Sequence, residues 1–372
     1  MKELTLLFLK LGITGFGGPA AHIAMMEEEV VHRRHWLTHE HFLDLLGATN
    51  LIPGPNSTEM AIHIGLVRAG WKGLVVAGLC FILPAVLITC LFAKMYVLYG
   101  SIPAFQPVVI GIRPAIIAVI ASAIYRLAKP VIKKSHSLIL GLGVVALSLA
   151  GVDEVLLLLV CGFLGLFGNR LFPSIVSIVV IYPLSLIPSS QLLPPSDISL
   201  TGLGFFFLKI GSILYGSGYV LVAYLQGGLV DARHWLTQAQ LFDAIAVGQF
   251  TPGPVLSTAT FIGYVVLGFP GAAVATLGIF LPSFLLVLIS SPFIPRLRRS
   301  PIAGGFLDGV NAGSLGLMAA VTIKLALAAL TGIGPWVIFV GAAIVLLRWN
   351  PNAAWIVVGS GFLGWIEAHA GL

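Results

Sequence analysis

The chain has 372 residues, 58% of them apolar and only 9% Asp, Glu, Lys or Arg, against about 25% charged in an average soluble domain. A mean hydropathy of +1.04, with apolar runs separated by short charged islands, excludes a water-soluble fold of this size. The net charge of +6 is spread between apolar runs, where Lys and Arg act as topology signals, so a clustered nucleic-acid surface is excluded as well.

Lipid offers no hydrogen bonds to the backbone, so only helices or a closed barrel can cross it, and these runs lack the alternation of barrel strands. The fold class is therefore an all-α polytopic membrane protein. Its partners are the bilayer and a small solute, with no nucleic acid and no cofactor, and a homodimer remains open. Cys80, Cys90 and Cys161 lie inside apolar segments without CxxC or His pairing, which supports neither a disulfide framework nor a zinc site. No HExxH, GxSxG or Walker A pattern is present, and the chain reads as a non-enzyme.

In chain order, spans are expected near 4–25, 42–66, 72–98, 104–126, 136–152 and 154–168. They recur near 202–224, 241–266, 270–292, 305–327, 332–347 and 353–368. The recurrence is literal: at an offset of 199, residues 8–59 match residues 207–258 with 16 identities. After a one-residue deletion Pro84 aligns with Pro282, Gly111 with Gly309 and Arg126 with Lys324. The chain thus divides into a first repeat (1–170), a connecting span and linker (171–200) and a second repeat (201–372).

Lys and Arg are retained on the cytoplasmic side of short loops. Counting them places Met1 inside, with Arg33, Arg34 and Lys94 on the opposite side from Arg68, and inverts the second copy through an unpaired thirteenth span at Leu171 to Ile187. The count puts Lys324 on the opposite side from Arg233. The expectation is 13 helices in two inverted repeats, N-terminus cytoplasmic and C-terminus outside, a common plan of secondary transporters.

The matched motifs are unusual for membrane helices. Gly15-Phe16-Gly17-Gly18-Pro19 corresponds to Leu214-Tyr215-Gly216-Ser217-Gly218. Asn50-x-x-Pro53-Gly54-Pro55-x-x-Thr58 corresponds to Gln249-x-x-Pro252-Gly253-Pro254-x-x-Ser257. Proline has no N–H and clashes with the preceding turn, so Pro-Gly-Pro inside an apolar run breaks the helix. The second half-helix then presents unpaired amides and the positive end of its dipole, a ready anion site. Two such breaks, one per copy, point to one shared central site.

Lys10 and Lys209 occupy equivalent places just before the Gly-rich motifs, as charges for a bound anion or as groups snorkelling to the interface. Arg113 aligns with Asn311 and is a cavity charge of one copy only. Asp44 and Asp243 open apolar runs, where helix capping competes with proton coupling. Glu59, replaced by Thr258 in the second copy, is the preferred proton-coupling group, with a packed structural carboxyl as the alternative. His22 contacts substrate or bonds within the core. Glu27, Glu28 and Glu29 read as a solvated segment.

At Gly15-Phe16-Gly17-Gly18-Pro19-Ala20-Ala21-His22, Asn50 to Thr58 and Phe250-Thr251-Pro252-Gly253-Pro254, the chain resembles the chromate ion transporter family, along its whole length and in the pattern of its long two-domain bacterial members. The resemblance implies an inner-membrane protein that exports chromate from the cytoplasm and confers chromate resistance. It carries that function to Phe16, Gly17, Gly18, Pro19, His22, Asn50, Pro53, Gly54 and Pro55, and to Gly216, Ser217, Gly218, Pro252, Gly253 and Pro254. Thr58, Gln249 and Ser257 join them from the aligned motifs. Ser217-Gly218 stands where the first copy has Gly18-Pro19, so the halves need not contribute equally. The alternatives are a proton-coupled importer of sulfate or a related oxyanion, and an anion channel.

Overall fold

A computed structural model describes residues 1–16, 18–99, 106–132, 134–167, 198–215, 218–293, 301–349 and 351–370, and among them every regular element is helical. The first copy comprises α1 (Lys2–Thr14), α2 (Pro19–Glu27, continued by a wider turn over Glu28–Arg33), α3 (His39–Thr49), α4 (Asn56–Tyr99), α5 (Gln106–Ile132), α6 (Ser135–Leu149) and α7 (Glu154–Phe167). The second comprises α8 (Leu200–Ile213), α9 (Leu221–Leu225, continued over Gln226–Asp231), α10 (Gln238–Phe250), α11 (Thr258–Ser290), α12 (Pro301–Ala329), α13 (Ile333–Trp349) and α14 (Ala353–Ala370). The expected thirteenth span, Leu171 to Ile187, lies outside the described residues.

The continuous span expected at 4–25 is replaced by a helical hairpin. Along one unbroken helix Lys10 and Glu29 would lie about 28 Å apart. Instead Lys10 Nζ donates to Glu29 Oε1 at 2.7 Å, so α2 doubles back beside α1. The second copy repeats this in place of the span at 202–224: a Cβ on Gly202, at the start of α8, would lie 3.3 Å from the Trp235 ring. The span expected at 42–66 is broken at Pro-Gly-Pro, and its two halves also turn back. The guanidinium of Arg68, at the end of the second half, sits 5.0 Å from the Trp36 ring just before α3.

Helix starts follow local chemistry. Thr38 Oγ1 accepts the His41 N–H at 3.2 Å, and Thr237 forms a capping box with Gln240. Asp44 and Asp243, expected as caps, sit in the second turn of α3 and α10, where no free amide remains to be capped.

As a straight rod the 44 residues of α4 would span about 66 Å, twice the hydrocarbon core. The helix folds at Ala69-Gly70, Gly70 taking φ +59°, into a short limb (56–68) and a long one (71–99). A Cβ on Gly65 would lie 2.6 Å from that of Ala77, so only glycine lets the limbs pack this closely. In α11 Gly268 takes φ +63° at the equivalent fold, and Thr260 and Thr276 meet across it at 2.8 Å.

α4, α5, α11 and α12 carry stretches long and apolar enough to cross a membrane, whereas α6, α7, α8, α13 and α14 are shorter apolar helices. The copies are interleaved. α5 of the first packs on α13 and α14 of the second, and α12 of the second packs on α6 and α7 of the first. Small residues make both contacts possible: a Cβ on Gly111 would lie 2.7 Å from Gly364 Cα, and one on Gly165 would lie 2.8 Å from Gly309 Cα.

These contacts correct the sidedness read from the basic residues. Arg34 and Arg68 flank one Trp36 ring, at 5.4 and 5.0 Å, so they lie on the same side. Lys324 pairs with Asp231 at 3.2 Å, which puts it on the same side as the Asp231–Arg233 segment. Both errors arise from treating a hairpin as a crossing.

Candidate functional site

The Gly/Pro breaks meet tip to tip between the copies. Gly54 N–H donates to Leu214 O at 2.6 Å, and Gly253 N–H donates to Gly15 O at 2.7 Å. Gly15 aligns with Leu214 and Gly54 with Gly253, so each copy gives the other the same bond. The arrangement is a local pseudo-two-fold crossing in which both Pro-Gly-Pro loops are spent on the partner motif. His22 Nε2, 2.9 Å from Gly15 O, braces the same carbonyl, and its ring packs edge-on to Phe81 at 5.4 Å. His22 is therefore a core ligand of the crossing.

This crossing changes the expected anion donors. Pro53, Pro55, Pro252 and Pro254 have no N–H, and the glycines between them are occupied. The remaining amides are those of Asn56 and Ser57 and, in the second copy, Val255 and Leu256, which meet no backbone carbonyl among the described residues, as the geometry of a helix start requires. Asn56 Nδ2 donates to Asn50 Oδ1 at 2.7 Å and Asn50 Nδ2 to Leu46 O at 3.1 Å, so Asn50 ties the two sides of the break together. Its counterpart Gln249 accepts from Tyr219 at 3.4 Å and leaves a buried Nε2 without a partner. Gly18, with φ +81°, precedes α2, and Pro19 occupies its first position, where no N–H is needed. Phe16 is 43% exposed and Gly218 is buried, while Gly17, Gly216 and Ser217 lie outside the described residues.

The copies differ in what surrounds the glycine of each loop. Around Gly54 stand Glu59, whose carboxyl occupies the space a Cβ would take, and Ser283 of the other copy, whose Oγ would be 2.7 Å from that Cβ. Around Gly253 stands Ala85, aligned with Ser283, whereas Thr258, aligned with Glu59, bonds its own helix at Val255 O. Glu59, Thr58 and Ser283 are fully buried, and both Glu59 oxygens, Thr58 Oγ1 and Ser283 Oγ lack hydrogen-bond partners among the described residues. Ser257, aligned with Thr58, accepts instead from Thr89 at 3.3 Å.

The two lysines are not equivalent. Lys10 is bound by Glu29, whose 8%-exposed carboxylate also takes Arg34 at 3.2 Å and Arg33 at 3.5 Å. Glu29 is thus a buried ion-pair centre and not part of a solvated segment. Lys10 and Arg34 hold its carboxyl below the usual range despite burial, which acts in the opposite sense. In the second copy Gly228 replaces Glu29. Arg233 then bonds Gly228 O at 3.0 Å, and Lys209 is exposed with no ion pair among the described residues.

Three further contacts or environments were not legible in the sequence. Tyr96 donates to Asp243 at 2.7 Å across the copies. Arg113 stacks 5.9 Å from the Phe242 ring, its Nε buried without a partner. His63, one turn after Glu59, is 1% exposed and its Nε2 has no partner. Only the i, i+4 spacing of Glu59 and His63 was available in the sequence to flag this last pair. A cleft of about 1020 Å³ between α13 and α14 is lined by Val337, Gly341, Ile356 and other apolar residues away from the crossing, on a face where a bilayer supplies acyl chains.

Residues 2–166 and 201–365, almost the two copies defined above, each match the family model described as chromate transporter. The chain belongs to the chromate transporter family. Among its relatives in that family, a probable chromate transport protein of Synechococcus elongatus is 34% identical over 87% of this chain and 84% of its own length. The chromate transport protein of Cupriavidus metallidurans is 32% identical over 98% and 92%. An uncharacterized transporter of Methanocaldococcus jannaschii is 28% identical over 96% and 92%. No solved structure matches the chain.

Proposed function

We propose that this chromate transporter family member exports chromate from the cytoplasm across the bacterial inner membrane and thereby confers chromate resistance. The observation that carries the reading is the reciprocal crossing, where the helix breaks of both copies converge and leave half-helix amides beside it. Chromate is a tetrahedral dianion, and such amides suit its oxygens. The names of the chromate transport proteins to which the chain is similar support chromate as the substrate. The binding set is Asn56 and Ser57 with the motif residues around them, and Lys209 supplies the charge that Lys10, paired to Glu29, does not.

Each copy contributes two non-crossing hairpins and four crossings, namely the long limb of α4 or α11 and the three helices that follow it. One connecting span then inverts the second copy. On this plan Lys2, Arg33, Arg34, Arg68, Lys72, Arg126, Lys129 and Lys134 share the cytoplasmic side and only Lys94 opposes them, a stronger bias than a crossing first span gives. Arg348 and, by sequence position, Arg296, Arg298 and Arg299 also face inward, against Arg233 and Lys324. The C-terminus is outside. Moving two negative charges out of an inside-negative cell releases about 4.6 kcal/mol per 100 mV, so the membrane potential alone drives export. Glu59 is the one fully buried carboxyl at the crossing and the group suited to couple a proton.

Purified protein in liposomes tests the reading. Chromate flux should be saturable, driven by an imposed potential, and competed by sulfate to the degree that size does not discriminate. Ohmic single-channel current would establish a channel instead, and accumulation only against the potential with proton entry would establish an importer.

A further inference from the structure

Glu59 and His63 lie on one face of the short limb of α4, one turn apart, fully or almost fully buried, with both carboxyl oxygens and the imidazole Nε2 unpartnered among the described residues. Two polar side chains in such a state are costly unless each has a transient occupant. Ser283, also unpartnered, reaches the same place from the other copy. The limb itself runs from the crossing at Gly54 to the turn beside Arg68, so Glu59 stands at the substrate end and His63 one turn nearer the aqueous face.

Few other charges act there. The one ionisable side chain of α11 between Thr258 and Ser290 is Tyr264. Tyr215, at the Leu214 break, is within Coulombic reach of Glu59. Lys10 on α1, His22 on α2, Asp44 on α3, Asp243 on α10, and Lys72, Cys80, Cys90, Lys94 and Tyr96 on the long limb of α4 belong to the flanking elements.

We propose that His63 and Glu59 form a proton relay that obliges one proton to travel in the same direction as each oxyanion. The inference rests on the exporter reading and adds the co-transported ion and its direction. His63 Nε2 takes a proton from water at the Arg68 end and passes it, directly or through one water, to a Glu59 oxygen, and the imidazole returns to neutral. The direction follows from electrostatics. The Glu59 carboxyl reaches back over Gly54, beside the amides that receive the dianion, and two negative groups at such range exclude one another in a medium of low dielectric. The oxyanion therefore binds when Glu59 is protonated, and both leave together. Each cycle then moves one net negative charge, where an uncoupled dianion would move two. Thr258 and Ala85 give the second copy no equivalent, so the molecule has a single relay.

The test uses the full-length protein in liposomes with voltage clamped by a potassium ionophore. In the wild type at zero voltage, one unit of pH gradient should shift the chromate distribution about tenfold toward the alkaline side, and the reversal potential should report one charge per chromate. Glu59→Gln should abolish the pH response and raise the ratio to two charges while voltage-driven flux persists. Glu59→Asp should restore the wild-type ratio. His63→Gln should keep the ratio and slow proton-driven flux about 100-fold. Chromate can carry its own proton, so a pH response that survives in Glu59→Gln would overturn the relay. A wild-type distribution indifferent to pH, or one driven by a sodium gradient at fixed pH, would do the same. Loss of voltage-driven flux in every variant and in the wild type would refute the exporter reading instead. Infrared spectra without substrate would still test the relay, by whether Glu59→Gln removes a protonated-carboxyl band.

Discussion

The crossing makes a quantitative demand on Gly54. In Gly54→Ala the new methyl collides with the Glu59 carboxyl and lies 2.7 Å from Ser283 Oγ, at a backbone φ of +144° that L-residues rarely adopt. The backbone strain costs about 1–3 kcal/mol, and disturbing the 2.6 Å bond to Leu214 O about 0.5–1.5 kcal/mol more. Gly253→Ala meets φ +91° with Ala85 Cβ at 2.8 Å and no carboxyl, so the two variants should differ by the displacement of Glu59. A double-mutant cycle isolates that difference. Glu59→Ala should relieve Gly54→Ala by about 1–2 kcal/mol and leave Gly253→Ala unchanged. Unfolding midpoints in mixed detergent micelles read both cycles. Additivity of Gly54→Ala and Glu59→Ala within about 0.5 kcal/mol would falsify the placement of the carboxyl over the loop.

The hairpins make a sidedness prediction: single cysteines at Lys2, Arg33 and Arg68 should react with an impermeant reagent from one face, and labelling of Arg33→Cys from the face opposite Lys2→Cys would refute the doubled-back α2. Because Lys10 is already matched by Glu29, Lys209→Met should raise the half-saturating chromate concentration about tenfold, the equivalent of about 1.4 kcal/mol, and Lys10→Met by less than about threefold. The reverse order in flux assays would show that Glu29 does not neutralise Lys10. Lowering of the Glu29 carboxyl by Lys10 and Arg34 means that its stabilisation is complete above the ordinary carboxylate range and is lost as pH falls through the lowered value. Unfolding midpoints should therefore drop only below about pH 4, and Glu29→Gln should be less stable at neutral pH and flat through that acid range.

Much of the site could be read from residues alone. The offset repeat identified both motif pairs, and Pro-Gly-Pro fixed where the helices break, because proline removes a donor and glycine accepts unusual φ regardless of context. The turns at Gly70 and Gly268 were not legible. A hydropathy window adds apolar residues without regard to direction, and two antiparallel limbs sum like one long helix. The same blindness turned the α1–α2 hairpin into a crossing and moved Arg33 and Arg34 to the wrong side. Pairings over long sequence separations, such as Lys10 with Glu29 or Gly54 with Leu214, require the fold. Glu59 was recognisable as a residue of one copy only, but the approach of Ser283 from the other copy is visible only in the fold.

The duplicated scaffold and the unduplicated chemistry have separate roles. Equivalent backbone contacts, Gly54 to Leu214 and Gly253 to Gly15, have nearly equal lengths, so exchanging the conformations of the two copies need not cost much net energy. That near-degeneracy is what a carrier with two accessible states requires. Vectorial transport needs something the symmetry lacks, since identical halves would bind ion and proton alike from either face. Three departures from the repeat supply it: Glu59 against Thr258, Ser283 against Ala85, Glu29 against Gly228. The first copy holds an acid at the break and neutralises its lysine, whereas the second leaves its lysine open and its break without a carboxyl. If this division is functional, moving the acid should move the coupling. Glu59→Thr combined with Thr258→Glu and Ala85→Ser should restore the one-charge ratio that Glu59→Thr alone loses, with protons now delivered from the opposite face. A triple variant that still moves two charges per chromate would show that the carboxyl acts through its first-copy surroundings and not through the crossing.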